Sequence, residues 1–587
     1  MPKEQNIFIA ENRPKSLVLS NKYLLGIIIA AVVFILLFWA LGYRSLWASE
    51  GRWAEITREM LLSGDFFHPT IGGIPYFDKP LLTYWTIAFF SKISGRLDEL
   101  IIRLPSALAA VITLVCTVYL GRRLWSAQAG WLAGAFLITS YGLLWHSHIA
   151  SAETENLAAV MLAVTWYWTR RERPDFVTFL VFYLIVFIGS HMKGLTAFVV
   201  PVLVVLPDLL RQRRWRYLLL PSHWLALGIG IAVYLSPFIY ESLTRPEGYQ
   251  QSGLALVLQE NIQRYLRPFD HKEPIYVYAY MLPLFIMPWL PIFIGALIAS
   301  ATSWKKLNQN TRWLIHAILI IFVFFTLSGS RRGYYILPIL PFCMLLAAVF
   351  IVEMHRNIVG EHRERGLQIQ KLILFIAAIS ELVLGPLAVW ILVSKKGWEL
   401  PRTLGWSFFI VGLAALLTGA FAYKMIGKIF QNRQLQAVWT MIPMAGILLG
   451  GFFSWQYNIL ESRRTEKPFT TKVSAVAKSL PKERIMFWRK YEETMLFYMK
   501  LDPPVEWLKD EHSLQEFLKS DQPGMIISQG RYITGSIASM LPQQPAFMEK
   551  CFSWESPDRQ QKKMKAWLIN PDTLQIAMDD KEANYEK

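Results

Sequence analysis

Long apolar runs separated by short polar connections dominate the pattern along this chain. Thirteen apolar segments fall at about 23–43, 101–121, 127–147, 153–169, 174–191, 194–210, 217–240, 275–301, 313–328, 334–353, 369–394, 404–423 and 436–456. At 1.5 Å of rise per residue, each crosses or nearly crosses a bilayer core as a helix. Alternate connections are short and basic: Arg122–Arg123, Arg170–Arg173, Arg211–Arg216, Lys305–Lys306, Arg356–Lys371 and Lys424–Arg433. The positive-inside rule assigns these, and the N-terminal tail with Lys3, Arg13, Lys15 and Lys22, to the cytoplasm. The other connections carry acids, histidines, prolines and aromatics, and are expected outside. Every motif that looks chemical falls on that outer side.

Two amphipathic stretches in the first outer loop break the pattern. Gly51–Leu62 sets Glu55, Arg58 and Glu59 on one side and Trp53, Ile56 and Met60 on the other; Pro80–Ile93 is rich in aromatics. Both are expected to lie in the interface plane, because counting the second as a span would turn the basic loops outward. After Trp455 the hydropathy falls. The clusters at 484–488, 525–528 and 565–569 look strand-like, 505–508 short and extended, and 493–499, 513–518 and 533–541 helical. The expected organisation is a cytoplasmic tail (1–22), a polytopic α-helical membrane domain (23–457) and a small periplasmic α/β domain (458–587).

Composition agrees with a membrane protein: 54% of residues are apolar and the mean hydropathy is positive. The formal charge of +17 would suggest nucleic acid in a soluble protein, but much of it sits in the basic loops. Topology and anionic headgroups account for it there, so no nucleic-acid partner is expected. Cys116 and Cys343 lie inside spans and only Cys551 lies in the tail, which excludes a disulfide framework or a cysteine metal site. The first apolar segment has no cleavage site after it and reads as an anchor.

Five outer loops carry candidate chemistry. The first holds Ser49-Glu50-Gly51-Arg52-Trp53-Ala54-Glu55 and Tyr76-Phe77-Asp78-Lys79-Pro80. The others hold His146-x-His148 with Glu153-x-Glu155, then His191-Met192-Lys193-Gly194, then Arg267 to Pro274 with His271, and last Ser328 to Tyr335 with Arg331 and Arg332. Arginines outside, against the charge rule, call for a bound phosphate. The carboxylates suit a metal ion or a general base, although the histidine spacing matches no specific zinc motif. No Walker-type loop is present, so no nucleotide is expected.

In these motifs, over about residues 20–455, the chain resembles the bacterial membrane glycosyltransferases of the GT-C fold. The likeness is to the lipid A aminoarabinose transferases and the protein O-mannosyltransferases. It rests on Arg-Trp-Ala-Glu, Tyr-Phe-Asp-Lys-Pro, the acid after the third span, Lys-Gly, His271 approaching a span, and Tyr335-x-Leu337-Pro338. The resemblance implies an undecaprenyl-phosphate-linked sugar donor and transfer with inversion at the anomeric carbon. It also implies a phosphate contact from Lys79, and Asp78 with His271 as ligands of a divalent metal ion (Zn, Mg or Mn). One position departs: the family's proposed aspartate base corresponds to Ser49. Either Glu50 or Glu55 takes that role, or the acceptor needs no strong base. A phosphate acceptor, with a second pKa of about 6, meets the latter condition.

The expected enzyme therefore transfers a sugar from polyprenyl phosphate at the periplasmic face of the inner membrane, acting as a monomer. An aminoarabinose-type sugar and a lipid A phosphate are its expected substrates; another sugar or another glycan, lipid or protein acceptor is the alternative. Its expected catalytic set is Glu50, Arg52 and Glu55. Lys79, Lys193, Arg267, Arg331, Arg332 and Tyr335 are expected to hold the donor phosphate, with Glu153 as a further acid. The rival of another class, a flippase of lipid-linked sugars, needs midplane charges and broken helices.

Overall fold

The computed structural model describes residues 15–77, 79–246, 273–357, 434–552 and 555–570, with a few isolated positions between 254 and 429. The spans expected at 369–394 and 404–423 lie almost wholly outside them, as do Asp78, Arg267 and His271. The first part runs α1 (Lys15–Phe38), α2 (Glu50–Ser63), β1 (Thr70–Ile71), β2 (Ile74–Pro75), α3 (Leu82–Ser94), α4 (Glu99–Leu124), α5 (Ala127–Ile138) and α6 (Tyr141–Ser147). It continues with α7 (Ala152–Arg170), α8 (Phe176–Lys193), α9 (Thr196–Arg211), α10 (Pro221–Thr244), α11 (Val277–Ile286) and α12 (Leu290–Thr302). The last membrane helices are α13 (Gln309–Leu327), α14 (Leu340–Asn357) and α15 (Gln434–Arg463). Among the described residues six helical segments are long and apolar enough to cross a membrane, or seven with a bent pair counted as one. This is a multi-pass membrane protein.

Two expected spans are not straight helices. The segment 275–301 is broken between α11 and α12, which are bent by 113°. Met287 takes an extended conformation before Pro288, and the proline has no N–H with which to continue the helix. The segment 127–147 is likewise interrupted between α5 and α6, at Thr139 and Ser140. The two breaks satisfy each other. Tyr141 N donates to the Met287 carbonyl at 2.9 Å, and the buried Trp289 indole donates to Thr139 Oγ1 at 3.1 Å. Close packing elsewhere relies on small residues. A Cβ built on Gly121 of α4 would lie 2.6 Å from Gly130 Cα of α5, so glycine lets these helices approach.

The C-terminal part contains α16 (Glu466–Ala477), β3 (Ile485–Trp488), α17 (Glu493–Met499), β4 (Trp507–Leu508), α18 (Glu511–Lys519) and β5 (Gly524–Gln529). It closes with α19 (Ser536–Met540), β6 (Phe547–Met548), α20 (Pro557–Gln561) and β7 (Met564–Ile569). The strands form one mixed sheet in the order β4-β3-β5-β7-β6. β3 pairs parallel to β4 and β5, while β7 runs antiparallel to β5 and β6. This sheet does not stand apart from the first loop. Trp53, Ile56 and Met60 of α2 share one apolar cluster with Phe487, Leu496 and Met525.

That docking corrects the expectation for Gly51–Leu62. Instead of lying in the interface with one polar side in water, α2 buries both sides: Glu50, Glu55, Arg58 and Glu59 are inside along with Trp53, Ile56 and Met60. Gly51 makes the close approach possible, since a Cβ there would meet Thr494 Oγ1 at 2.2 Å and its backbone at 2.7 Å. Polar contacts complete the joint. Arg58 Nη2 donates to Leu501 O at 2.6 Å, Val505 N to Gly72 O at 2.9 Å, and Tyr491 Oη to Ile71 O at 2.7 Å.

Candidate active site

Two groups of charged residues separate in the fold. The first surrounds α2. Glu50 is fully buried at the start of the helix, between Arg44 and Arg103. Arg103 Nε and Nη2 donate to its two oxygens at 2.8 and 2.9 Å, and Arg44 contributes two bonds of 3.1 Å. The backbone amides of Trp47 and Ala150 add bonds of 3.0 and 2.9 Å. Burial alone would raise this carboxyl's pKa, but the charges of Arg103 and Arg44 outweigh it and hold Glu50 at about 2. A carboxylate so held accepts no proton at neutral pH, and both oxygens are engaged. The geometry makes Glu50 the centre of a structural ion-pair triad rather than the base expected at this position.

Glu55 is similarly enclosed. Arg58 Nε and Nη2 meet its two oxygens at 2.8 and 2.7 Å. Burial pushes its carboxyl up to about 7 against the pull of Arg58. The oxygens still face Arg58, not an open space. Glu59 caps the β1–β2 turn through the amides of Gly72 and Gly73. Arg52 points the other way and donates to Tyr76 Oη at 3.1 Å, next to the Asp78–Lys79 segment. Ser49 is exposed, and its side chain makes no cap for α2.

The second group converges on Glu153, at the first turn of α7. Lys193, closing α8, forms a salt bridge with Glu153 Oε2. The same ammonium lies 4.2 Å from the ring centre of Tyr335 and 5.8 Å from that of Tyr334. Lys79 lies within electrostatic reach of the same carboxylate. The phenol of Tyr278, on α11, senses Arg331, Glu273 and Glu153. Residues from five separate stretches of sequence thus meet at one mouth, on the side from which α4 and α7 begin. In the same first turn of α7, Glu155 accepts from Thr83 Oγ1 at 2.7 Å, and the next residue, Asn156, accepts from Thr196 Oγ1 at 3.1 Å.

Arg331 and Arg332 divide the work. Arg331 binds backbone carbonyls, with Nε on Glu273 O at 2.9 Å and Nη1 on Ser328 O. It therefore shapes the loop. Arg332 is half-buried; its carbonyl accepts from Tyr335 N at 2.9 Å, while among the described residues its side chain makes no hydrogen bond or ion pair. The two histidines do not gather with the acids. His146 and His148 each direct Nδ1 to the carbonyl four residues back at 2.8 Å. Among the described residues no three His, Cys, Asp or Glu side chains form a metal-sized group. Arg44, Arg103 and Tyr278 are absent from the candidates read from sequence, and Tyr334, although inside the Ser328–Tyr335 motif, is not among the residues expected to hold the phosphate.

Residues 78–240 match a family model described as dolichyl-phosphate-mannose-protein mannosyltransferase. A protein of Aeromonas salmonicida is 31% identical over 355 residues, covering 58% of this chain and 62% of that protein. One of Pseudomonas aeruginosa is 30% identical over 321 residues, covering 53% and 57%. Both are named undecaprenyl phosphate-alpha-4-amino-4-deoxy-L-arabinose arabinosyl transferase. The match thus spans about six-tenths of these relatives' length. The crystal structure of ArnT from Cupriavidus metallidurans bound to undecaprenyl phosphate superposes with a TM-score of 0.68, covering 92% of this chain and 97% of that one. The chain has the GT-C membrane fold. At 18% identity that superposition establishes architecture alone. With the sequence matches, it upholds the resemblance to the aminoarabinose and mannosyl transferases that the loop motifs indicated.

Proposed function

We propose that this protein transfers 4-amino-4-deoxy-L-arabinose from undecaprenyl phosphate to a phosphate of lipid A, at the periplasmic face of the inner membrane. The observation that carries the reading is the convergence of Lys79 and Lys193 on Glu153, beside Tyr334 and Tyr335, in a chain similar to the arabinosyl transferases. Polyprenyl phosphate leaves readily only when its developing charge meets fixed cations in a water-poor pocket. Lys79, Lys193 and Arg332 supply those cations in this reading. Glu153 and Tyr335 hold the Lys193 ammonium in place.

An oxygen of the acceptor phosphate attacks the anomeric carbon from the face opposite the leaving group. The bond to the carrier oxygen breaks, and its electron pair departs with undecaprenyl phosphate. No proton must be removed, because a phosphate monoester with a second pKa near 6 is already largely dianionic at pH 7. That matches an exposed Ser49 and a Glu50 locked by two arginines. Asp78 and His271 remain the proposed ligands of a divalent ion, which would add charge at the leaving phosphate. Removing divalent ions by chelation is expected to slow transfer, and full activity without them would remove the ion from the reading.

The test is a transfer assay with labelled undecaprenyl-phosphate aminoarabinose and lipid A, intact or dephosphorylated. Label should reach intact lipid A and be absent from the dephosphorylated form. Equal labelling of both would move the acceptor to a hydroxyl and overturn the reading.

A further inference from the structure

A cavity of about 590 Å³ lies at the end of the molecule opposite this site. Its lining includes Arg123 at the end of α4, Arg170, Arg171 and Arg173 at the end of α7, and Asn310 at the start of α13. α4 and α7 both start on the side of the site. At 1.5 Å per residue, the 19 residues of α7 separate its two ends by roughly 27 Å, so the cavity is a distinct place. Its volume falls within the range of about 300–1,000 Å³ usual for small-ligand sites.

The arginines here are not all spent on the protein. Arg171 pairs with Asp208 at 3.3 Å and lies 4.2 Å from the ring centre of Trp168, which fixes it as one wall. Arg170 stacks over Trp166 at 5.2 Å. Arg123, Arg170 and Arg173 have no carboxylate within salt-bridge distance among the described residues. Asp175, beside Arg170 and Arg173, is engaged in capping α8 through Thr178 N at 2.7 Å. Glu172 is the single acid in the lining, and its partners are Arg171 and Arg214. Topology rules ask only for positive charge in short loops. They do not require arginines of separate connections to face one cavity with their guanidinium groups unneutralised.

We propose that this cavity binds a phosphate group of an anionic ligand, held by Arg123, Arg170 and Arg173 with Arg171 as the fixed wall. Guanidinium forks match phosphate oxygens in pairs, and three forks around one cavity suit a doubly charged or paired phosphate. The ligand is either an anionic lipid headgroup of the adjoining leaflet or a free phosphate from solution.

The experiment uses the full-length protein in nonionic detergent, with thermal unfolding and native mass spectrometry as readouts. The probes are cardiolipin, phosphatidylcholine and inorganic phosphate. Cardiolipin should raise the melting temperature saturably, while phosphatidylcholine should not. Combining Arg123→Gln, Arg170→Gln and Arg173→Gln should weaken that effect at least tenfold. Lys306→Gln, which removes a basic residue that does not line the cavity, should leave it unchanged. Saturation by inorganic phosphate, lost in the same triple variant, would assign the site to a free phosphate. Thr169→Trp keeps every arginine and fills the cavity, and it should abolish binding by itself; it carries the test if the triple variant does not fold. Undiminished binding of every probe in Thr169→Trp or in the folded triple variant overturns the proposal, as does an equal loss in Lys306→Gln.

Discussion

The α2 segment and the mouth around Glu153 use the same residue types for opposite ends. In α2, charge is dense and closed: the side chains of Glu50 and Arg103 are 1% and 0% exposed, and each oxygen of Glu50 meets both arginines. At the mouth, charge is sparser and less completely enclosed: the side chains of Glu153 and Lys193 are 10% and 16% exposed, beside two tyrosine faces. A buried ion pair with every lone pair satisfied fixes architecture. A partly open cation held by one acid and an aromatic face can still meet a phosphate. The richest charged motif in the sequence is therefore a joint between the membrane part and the α/β part, and the thinner motifs form the candidate site.

The strongest way to break this contrast is Glu50→Gln. It leaves Arg44 and Arg103 buried without a counter-charge, which costs about 3–5 kcal/mol. The variant should unfold at markedly lower temperature, while the pH profile of transfer by the remaining folded enzyme keeps its shape. Loss of the acid limb of that profile, with normal stability, would return Glu50 to the role of base. The wild type should show the matching acid sensitivity. Glu50 has a folded pKa of about 2, below its unfolded value of 4.5, so its stabilisation is present above 4.5. It should fade as the pH falls from 4.5 through 2, as read by acid unfolding.

At the mouth, Lys79→Ala removes a charge-assisted contact worth about 1.5–3 kcal/mol, or roughly one to two decades in transfer rate. Its melting temperature should stay near wild type, unlike that of Glu50→Gln. Wild-type turnover in Lys79→Ala would show that the lipid phosphate sits elsewhere. Gly51→Val sharpens the comparison from the joint's side. Forcing atoms against the Thr494 backbone should cost about 1–3 kcal/mol, visible as earlier proteolysis between 458 and 570. The smallest effect is expected from Ser49→Asp. Transfer to a phosphate acceptor should change by less than about threefold, since by the proposed reading no proton is abstracted.

Much of the candidate site is legible in sequence because its residues stand at the ends of apolar runs, where hydropathy changes sign. Lys79, Glu153, Lys193, Arg332 and Tyr335 were all visible in that way. Their separate tasks were not. Nothing in the spacing distinguishes Arg331, bound to the carbonyls of Glu273 and Ser328, from its neighbour Arg332. The burial of Glu50 depends on Arg103, 53 residues away, and no local pattern encodes that pairing. In the C-terminal part the helix at 493–499 lies where the pattern indicates, whereas α16 is not among the expected elements although Phe469, Val473 and Ala477 recur at helical spacing. The breaks at Thr139 and Met287 were averaged away by windows that stay apolar across them, although Ser140 and Pro288 marked the places.

Those paired breaks also set an order of events during synthesis. The Trp289 indole that bonds Thr139 lies 150 residues downstream of it. At about 5–20 residues per second, the ribosome needs roughly 8–30 s to supply the partner. Through that interval the α5–α6 turn has entered the bilayer with its carbonyl unclaimed by Trp289. The nascent chain is thus committed to a waiting state that the membrane insertion machinery must shelter, and the second half of the protein ends it by arriving.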